Sequence, residues 1–326
     1  MPARTQGPLT RLILGTAHLS AAGPILPGSV TGAAAFALLD RALDLGIKAL
    51  DTAAIYQFGG SERLIGSWMQ NRGVRDRIYL ITKGGHPSIF GGARMSRRHI
   101  QHDLDGSLRR LGVDYVDLYL VHRDSSSSPL ASIAETLCSL IADGHIGAYG
   151  VSNWTHERFL ALLKLVSREG MPLPVASSPQ FSLPVWRVSP YPGCVTLGGR
   201  AAARGLKTYR ATNTAVLAWS PLGGGWLAGP GGRAGGKAYT GGANDARYYR
   251  LKTLSDLIGC TPAQAALQYV LSHGSNVHAI LGTRQPERLV ELQAGLSVTL
   301  RPDQVAWLAN GDENNSSSDS PLRLLS

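Results

Sequence analysis

The chain predicts an α/β fold, a (β/α)8 TIM barrel with extended loops at its C-terminal face. Three observations predict it. Short, β-prone apolar runs recur eight times, with helix-patterned segments between them. Such alternation calls for a parallel sheet with right-handed crossovers, and a barrel of eight units fits a chain of 326 residues. Three successive runs also lead into chemically capable side chains: Asp51 with Tyr56, then Lys83, then His122. In a barrel the strand ends share one face, where active sites are built. A doubly wound open sheet is the rival. It wants a glycine fingerprint after the first strand, and Gly15-Thr16-Ala17-His18 does not match G-x-G-x-x-G.

Taken in order, strands are expected at residues 11–17, 47–51, 78–83, 116–122, 146–151, 175–180, 215–219 and 277–281. A helix over 34–45 follows Thr31, a cap-type residue, and stops at Gly46. Ser61 opens the next. The helix over 96–111 carries Ile100, Leu104, Ser107, Leu108 and Leu111 along one face and ends at Gly112. Helices over 130–143 and 156–167 follow, and Thr261-Pro262 starts one over 262–273. The least regular stretch is 184–199. The glycine-rich loop 223–242 reads either as a surface excursion or as a lid on the active face. Residues 1–310 are expected to form one barrel domain. The polar segment 311–326, with Asn314-Asn315-Ser316-Ser317-Ser318, reads as a disordered tail.

Composition narrows the functional classes. A hydrophobic content of 44% is ample for a core. No apolar run reaches the roughly 18 residues of a membrane span, and residues 1–8 lack an apolar signal core. Cys138, Cys194 and Cys260 have neither metal-like spacing nor an even disulfide framework, so a cytoplasmic location is expected. A net charge of +10 could advertise nucleic acid. The basic residues are scattered, however, as in Arg75-Asp76-Arg77, Arg97-Arg98 and Arg109-Arg110, and read as solvated surface. Part of the positive field would draw in an anionic ligand. No nucleic-acid or membrane partner is expected. His99 and His102 have helical spacing for metal ligands but no acidic partner on the right face, so no metal is expected.

The residues at the three run ends suggest a reaction. A tyrosine hydroxyl has a reference pKa of about 10. A nearby ammonium favours phenolate and lowers that value, and a carboxylate would hold the ammonium charged and fixed. Asp51, Lys83 and Tyr56 can form such a chain, with His122 orienting a substrate oxygen. Together they suit proton donation to an oxygen while something else arrives at carbon. Singly, each has a plainer role: Asp51 a turn cap, Tyr56 a half-buried aromatic, Lys83 a solvated strand end, His122 a core histidine.

The chain resembles an aldo-keto reductase over roughly residues 11–295. The resemblance is carried by Leu50-Asp51-Thr52-Ala53 with Tyr56, Thr82-Lys83-Gly84-Gly85, Asp103-Leu104 with Ser107-Leu108-Arg109-Arg110-Leu111, Asp114-Tyr115-Val116-Asp117-Leu118-Tyr119, His122-Arg123, Gly150-Val151-Ser152-Asn153 and Trp219-Ser220-Pro221-Leu222-Gly223. It implies NADPH-dependent reduction of an aldehyde or ketone, with NADH the less favoured cofactor. Asp51, Tyr56, Lys83 and His122 match the family's catalytic four, with Tyr56 as the acid. Ser152, Asn153 and Gln180 match the carboxamide contacts. Trp219 stands where a stacking tyrosine is usual, and Ser220, Leu222 and Gly224 match the pyrophosphate contacts. Thr283 and Arg288 match the 2′-phosphate motif. Gly282 replaces its lysine and Leu292 its asparagine, and Arg284 is the candidate to supply the missing charge. His18, Phe58, His86, Arg123 and Trp154 fall near the expected substrate rim. A polar rim with few aromatics points to a hydroxylated or charged carbonyl compound, sugar-like substrates included. Two other readings stand beside this one: a cofactor-binding regulatory subunit of the same fold with little turnover, and a barrel enzyme in which Lys83 forms a Schiff base.

Overall fold

A computed structural model describes residues 9–21, 23, 28–87, 92–227 and 233–311. The tail beyond Gly311 and the centre of the glycine-rich loop lie outside the described residues. The strands are β1 (Leu12–Gly15), β2 (Ala49–Asp51), β3 (Tyr79–Gly84), β4 (Val116–Val121), β5 (Ile146–Ser152), β6 (Ala176–Ser178), β7 (Ala215–Trp219) and β8 (Val277–Leu281). They close in sequence order into an eight-stranded parallel barrel, as expected from the sequence. The chain divides into two units. The first runs to Ser178 and takes in Ile280–Pro286; the second holds Pro179–Ala279 and continues from Glu287.

In the first unit the register is set by pairs such as Leu50 with Leu80, Lys83 with Leu120, and Val121 with Val151. Nearly every strand residue is buried, the near-continuous apolar run of a parallel sheet covered on both faces. Alternation then sorts β3. Thr82 points outward to the helices, where its hydroxyl donates to Glu62 at 2.6 Å, so Lys83 points the other way. Glu62 also accepts from Arg110 at 2.7 Å. The Ser61 hydroxyl bonds those of Thr16 at 2.9 Å and Thr52 at 3.0 Å, which ties the ends of β1 and β2 to the helix Gly60–Arg72. The barrel seam lies between β1 and β8: a Cβ on Gly15 would stand 2.8 Å from the Ile280 side chain.

The predicted helices are present as Gly32–Asp44, Gly60–Arg72, Arg97–Leu111, Leu130–Ala142, His156–Arg168 and Pro262–Leu271. Ser96 caps the third by accepting from the His99 backbone, and Thr261 forms a capping box with Gln264. Thr31 precedes the first but makes no side-chain cap bond. β6 is shorter than expected because Pro179 has no N–H to donate. Gln180 instead forms isolated bridges to Thr196 and Trp219. In the second unit the Val216 amide donates to the Asn276 carbonyl at 2.8 Å, just before β8. Helices Arg200–Ala211, Ala243–Ile258 and Pro302–Asn310, unread in the sequence, complete it. Arg250 satisfies the terminal carbonyls of Leu308 and Ala309. Among the described residues, no helix is long and apolar enough to cross a membrane.

Two of the arginines read as solvated surface are structural. Arg110 pairs with the wholly buried Glu62, and Arg75 donates to Asp117 at 3.0 Å and to the carbonyls of Ile78 and Tyr115. In each case the acid is distant in sequence, so charge spacing alone could not reveal it.

Candidate active site

Asp51 ends β2, Lys83 lies one residue before the end of β3, and His122 follows β4 directly. All three strands belong to the first unit, so residues far apart in sequence meet at the strand ends. The turn after β2 is pinned to β3, because the Thr52 amide donates to Ile81 O and the Ala54 amide to Lys83 O, both at 2.9 Å. That pinning brings Tyr56 back over the lysine. Lys83 Nζ donates to Asp51 Oδ2 at 2.7 Å, to Thr52 O at 2.8 Å and to the Tyr56 hydroxyl at 3.2 Å. The His122 ring stands edge-on to Tyr56 with centroids 5.7 Å apart. His122 is itself held by its amide, which donates to Gly84 O at 2.8 Å.

The electrostatics follow from burial and from this contact set. Asp51 and Lys83 are each 3% exposed. Burial pushes the Asp51 carboxyl up from the ordinary carboxylate range, against the opposing pull of Lys83. Burial alone would lower Lys83, but Asp51 and Tyr56 outweigh it and raise the ammonium above an ordinary lysine. A lysine with three acceptors and a raised pKa is a fixed cation rather than the desolvated amine a Schiff base needs. Tyr56 departs from the sequence expectation. Lys83 does pull it down, but burial is the larger cause and leaves the phenol above its ordinary value. Its ring stays partly open while the hydroxyl sits beside Lys83. Burial, then Lys83, Arg123 and His86, hold His122 well below the usual imidazole range. The site thus offers a protonated phenol, a fixed cation and a neutral imidazole.

Two buried polar atoms here have no hydrogen-bond partner among the described residues: Asp51 Oδ1 and His122 Nδ1. Strain gathers here too. Gln57 and Phe58, directly after Tyr56, take left-handed φ of 50° and 52°, a conformation that costs energy for any residue with a Cβ and collects at functional sites. Gln57 fixes the distortion. Its amide donates to Ala17 O at 2.9 Å and accepts from Ser29 at 3.0 Å. Sequence reading missed Gln57. It also missed Asp103, which accepts from the Gly85 amide at 2.9 Å and pairs with Arg94, so shaping the loop after Lys83. The available signal was that Asp103 stands three residues after Ile100, on the buried face of its helix.

The other predicted residues fall as follows. In the first unit, Ser152 and Asn153 are buried at the end of β5, and Asn153 donates to Ser152 Oγ at 2.9 Å with φ of 57°. Trp154 is buried, with Arg158 over its ring at 5.4 Å. His86 stands edge-on to His122 at 5.1 Å, and Phe58 is 63% exposed. His18 is pushed down to about 4 by burial first and then by the charge of Arg284. Arg284 reaches into the loop after β1, where its guanidinium fills the space a Cβ on Gly28 would take. Gly28 has φ of 78°, so glycine is required there on both counts. Thr283 accepts from the Gln285 amide at 3.2 Å.

In the second unit, the Gln180 amide is engaged by Ser182 and Thr196. Trp219 packs against Trp186 at 5.7 Å and Tyr191 at 6.5 Å. Ser220 is left-handed, φ 51°, and Gly223, Gly224 and Gly225 follow with φ of 62°, 61° and 93°. The Leu222 carbonyl accepts from the Leu227 amide at 3.1 Å. Arg288 opens the helix Pro286–Ala294 and pairs with Glu291 at 2.6 Å. Among the described residues no three His, Cys, Asp or Glu side chains form a metal-holding group.

Comparison with known proteins places this geometry in a family context. The model of the Aldo/keto reductase family matches residues 11–311. A 6-dehydroglucose reductase of Novosphingobium aromaticivorans is 31% identical over 288 residues, 86% of this chain and 85% of that protein. An aldo-keto reductase yakc (NADP(+)) of Schizosaccharomyces pombe is 29% identical over 299 residues, 85% of this chain and 82% of that protein. A putative voltage-gated potassium channel subunit beta of the same yeast is 28% identical over 284 residues, 78% of this chain and 76% of that protein.

Proposed function

Because the chain belongs to the aldo/keto reductase family and is an NAD(P)H-dependent oxidoreductase, we propose that it reduces a polar aldehyde or ketone to the alcohol with NADPH, and that Tyr56 gives the proton. The observation that carries the reading is the contact chain from Asp51 Oδ2 through Lys83 Nζ to the Tyr56 hydroxyl, at 2.7 and 3.2 Å. A buried phenol above its ordinary pKa is protonated at neutral pH and ready to donate. Lys83 lowers the cost of the phenolate left behind. His122, neutral, hydrogen-bonds the carbonyl oxygen beside Tyr56 and aims it at that hydroxyl. The desolvated strand ends strengthen each of these contacts.

The residues present suit a nicotinamide cofactor. Asn153 and Ser220 both hold the left-handed backbone that positions a strand-end group out of register, and three consecutive left-handed glycines leave backbone open to close approach. When bound, the cofactor supplies hydride. In the first unit Ser152 and Asn153 hold its carboxamide. In the second, taken by itself, Trp219 offers a stacking face, and Ser220, Leu222 and Gly224 present backbone that suits phosphate. Arg288 favours NADPH over NADH; its partnership with Glu291 keeps the preference small.

Oxidation of NADPH across sugars, keto-sugars and aromatic aldehydes tests the reading. Turnover in wild type that vanishes in Tyr56→Phe supports it. The likeness to a putative channel subunit beta supports a second reading, a regulator that holds cofactor with little turnover. Tight NADPH binding without oxidation by any carbonyl in the screen would favour that reading.

A further inference from the structure

Arg123 follows His122 at the end of β4 and donates to the His122 carbonyl at 3.1 Å. Its charge bears on Tyr56, His122 and His86 alike. His86 and His122 stand 5.1 Å apart, and His122 and Tyr56 5.7 Å apart. The cation therefore lies beside the rings that would receive the substrate.

The carboxylates around it are engaged elsewhere. Asp51 belongs to Lys83 at 2.7 Å. Asp124, the next residue in the chain, belongs to Arg158 at 3.1 Å, and that arginine also binds the Ser125 and Ser128 carbonyls. Asp103 belongs to Arg94 and to the Gly85 amide. Among the described residues no carboxylate pairs with Arg123. The two histidines do not balance its charge either, since a neutral ring carries none. The Lys83 charge is matched by Asp51, so the reacting centre is left with one uncompensated, half-buried guanidinium.

We infer that Arg123 selects carbonyl substrates that carry a carboxylate, which it grips while the carbonyl lies at Tyr56 and His122. A guanidinium fork matches a carboxylate in a bidentate pair. Partial burial keeps the contact from being screened as a surface pair would be. The inference rests on the reductase reading and names the substrate class for it. A charge-assisted contact of this kind is worth about ten- to a hundredfold in affinity.

The test compares 4-formylbenzoate with its neutral isostere 4-formylbenzamide. Wild type is expected to show a KM at least about tenfold lower for the carboxylate, at similar kcat. In Arg123→Gln the ratio should fall toward one, and Arg123→Lys, which keeps the charge but not the fork, should retain part of it. Raising the salt concentration should narrow the wild-type ratio. Equal KM values in wild type, or a ratio untouched by Arg123→Gln, overturn the inference and leave the reductase reading standing. Calorimetric titration of 4-formylbenzoate into Tyr56→Phe, with and without Arg123→Gln, reads the same contact without turnover. Arg123-dependent binding there, with no NADPH oxidised by wild type, would remove the reductase reading and overturn the substrate assignment with it, leaving Arg123 as a carboxylate-binding residue only.

Discussion

Two carboxylate–cation pairs lie close together in the first unit, and they differ in how fully they are satisfied. Glu62 is wholly buried, and each of its oxygens has a donor: Thr82 on one and Arg110 on the other. Asp51 is almost as buried, yet Oδ1 has no partner among the described residues, and neither does His122 Nδ1 nearby. Adjacent β3 residues serve the two pairs, Thr82 outward and Lys83 inward. The saturated pair fastens the helices Gly60–Arg72 and Arg97–Leu111 to the sheet. The unsaturated one holds a cation against a phenol and leaves hydrogen-bonding capacity unused. A buried group left unpaired costs about 1–3 kcal/mol. The contrast separates a pair whose oxygens are all engaged from one that keeps an oxygen unengaged.

Four measurements would break or sharpen that contrast. The largest effect is expected at the saturated pair. Glu62→Ala leaves the Arg110 guanidinium and the Thr82 hydroxyl without their acceptor and should cost about 3 kcal/mol in urea unfolding, while the folded enzyme's turnover stays within a few-fold of wild type. A loss below about 1 kcal/mol would dissolve the distinction. Next, Tyr56→Phe should lower turnover by about a hundredfold or more with NADPH affinity nearly intact; activity within a few-fold of wild type would reject Tyr56 as the acid.

The third concerns pH. The acid must carry its proton, so reduction falls as pH rises through the Tyr56 pKa. Burial holds that pKa up and Lys83 holds it down. Lys83→Met should slow the enzyme and move the alkaline limb of its pH–rate profile higher, and an unmoved limb in a still-active variant would uncouple the two residues. The smallest effect is expected at Arg288, already paired with Glu291 and partly exposed. Arg288→Ala should weaken NADPH by no more than about tenfold and NADH hardly at all. Equal losses would make Arg288 structural, and tighter wild-type binding of NADH would end the NADPH preference.

Much of this was legible in the sequence because strands buried on both faces leave unbroken apolar runs. All eight were found that way, and the residues proposed to carry the chemistry lie at or just past the ends of three of them. Helix starts were legible where a cap and a proline coincide, as at Thr261-Pro262. Four things were not. Arg110 and Arg75 read as surface because their partners are distant in the chain. The pKa direction of Tyr56 depends on depth, which pattern does not report. Helices such as Ala243–Ile258 follow glycine-rich sequence, and their own apolar period is weak. The strain at Gln57 and Phe58 has no sequence signal, since neither residue type favours the left-handed region.

The seam between Gly15 and Ile280 sets the order in which this protein can be made. β1 leaves the ribosome long before β8, and neither has its final neighbour until both exist. Until then β1 presents an unpaired edge, the kind of surface that other chains can bind. Pairings so far apart in sequence close slowly, because the chain's freedom is lost before the contact forms. Arg284, only four residues past Ile280, then locks the loop after β1 by filling the space at Gly28. A nascent chain stopped short of β8 would therefore lack its closing strand and leave the loop after β1 unset, even with Asp51, Tyr56, Lys83 and His122 already made.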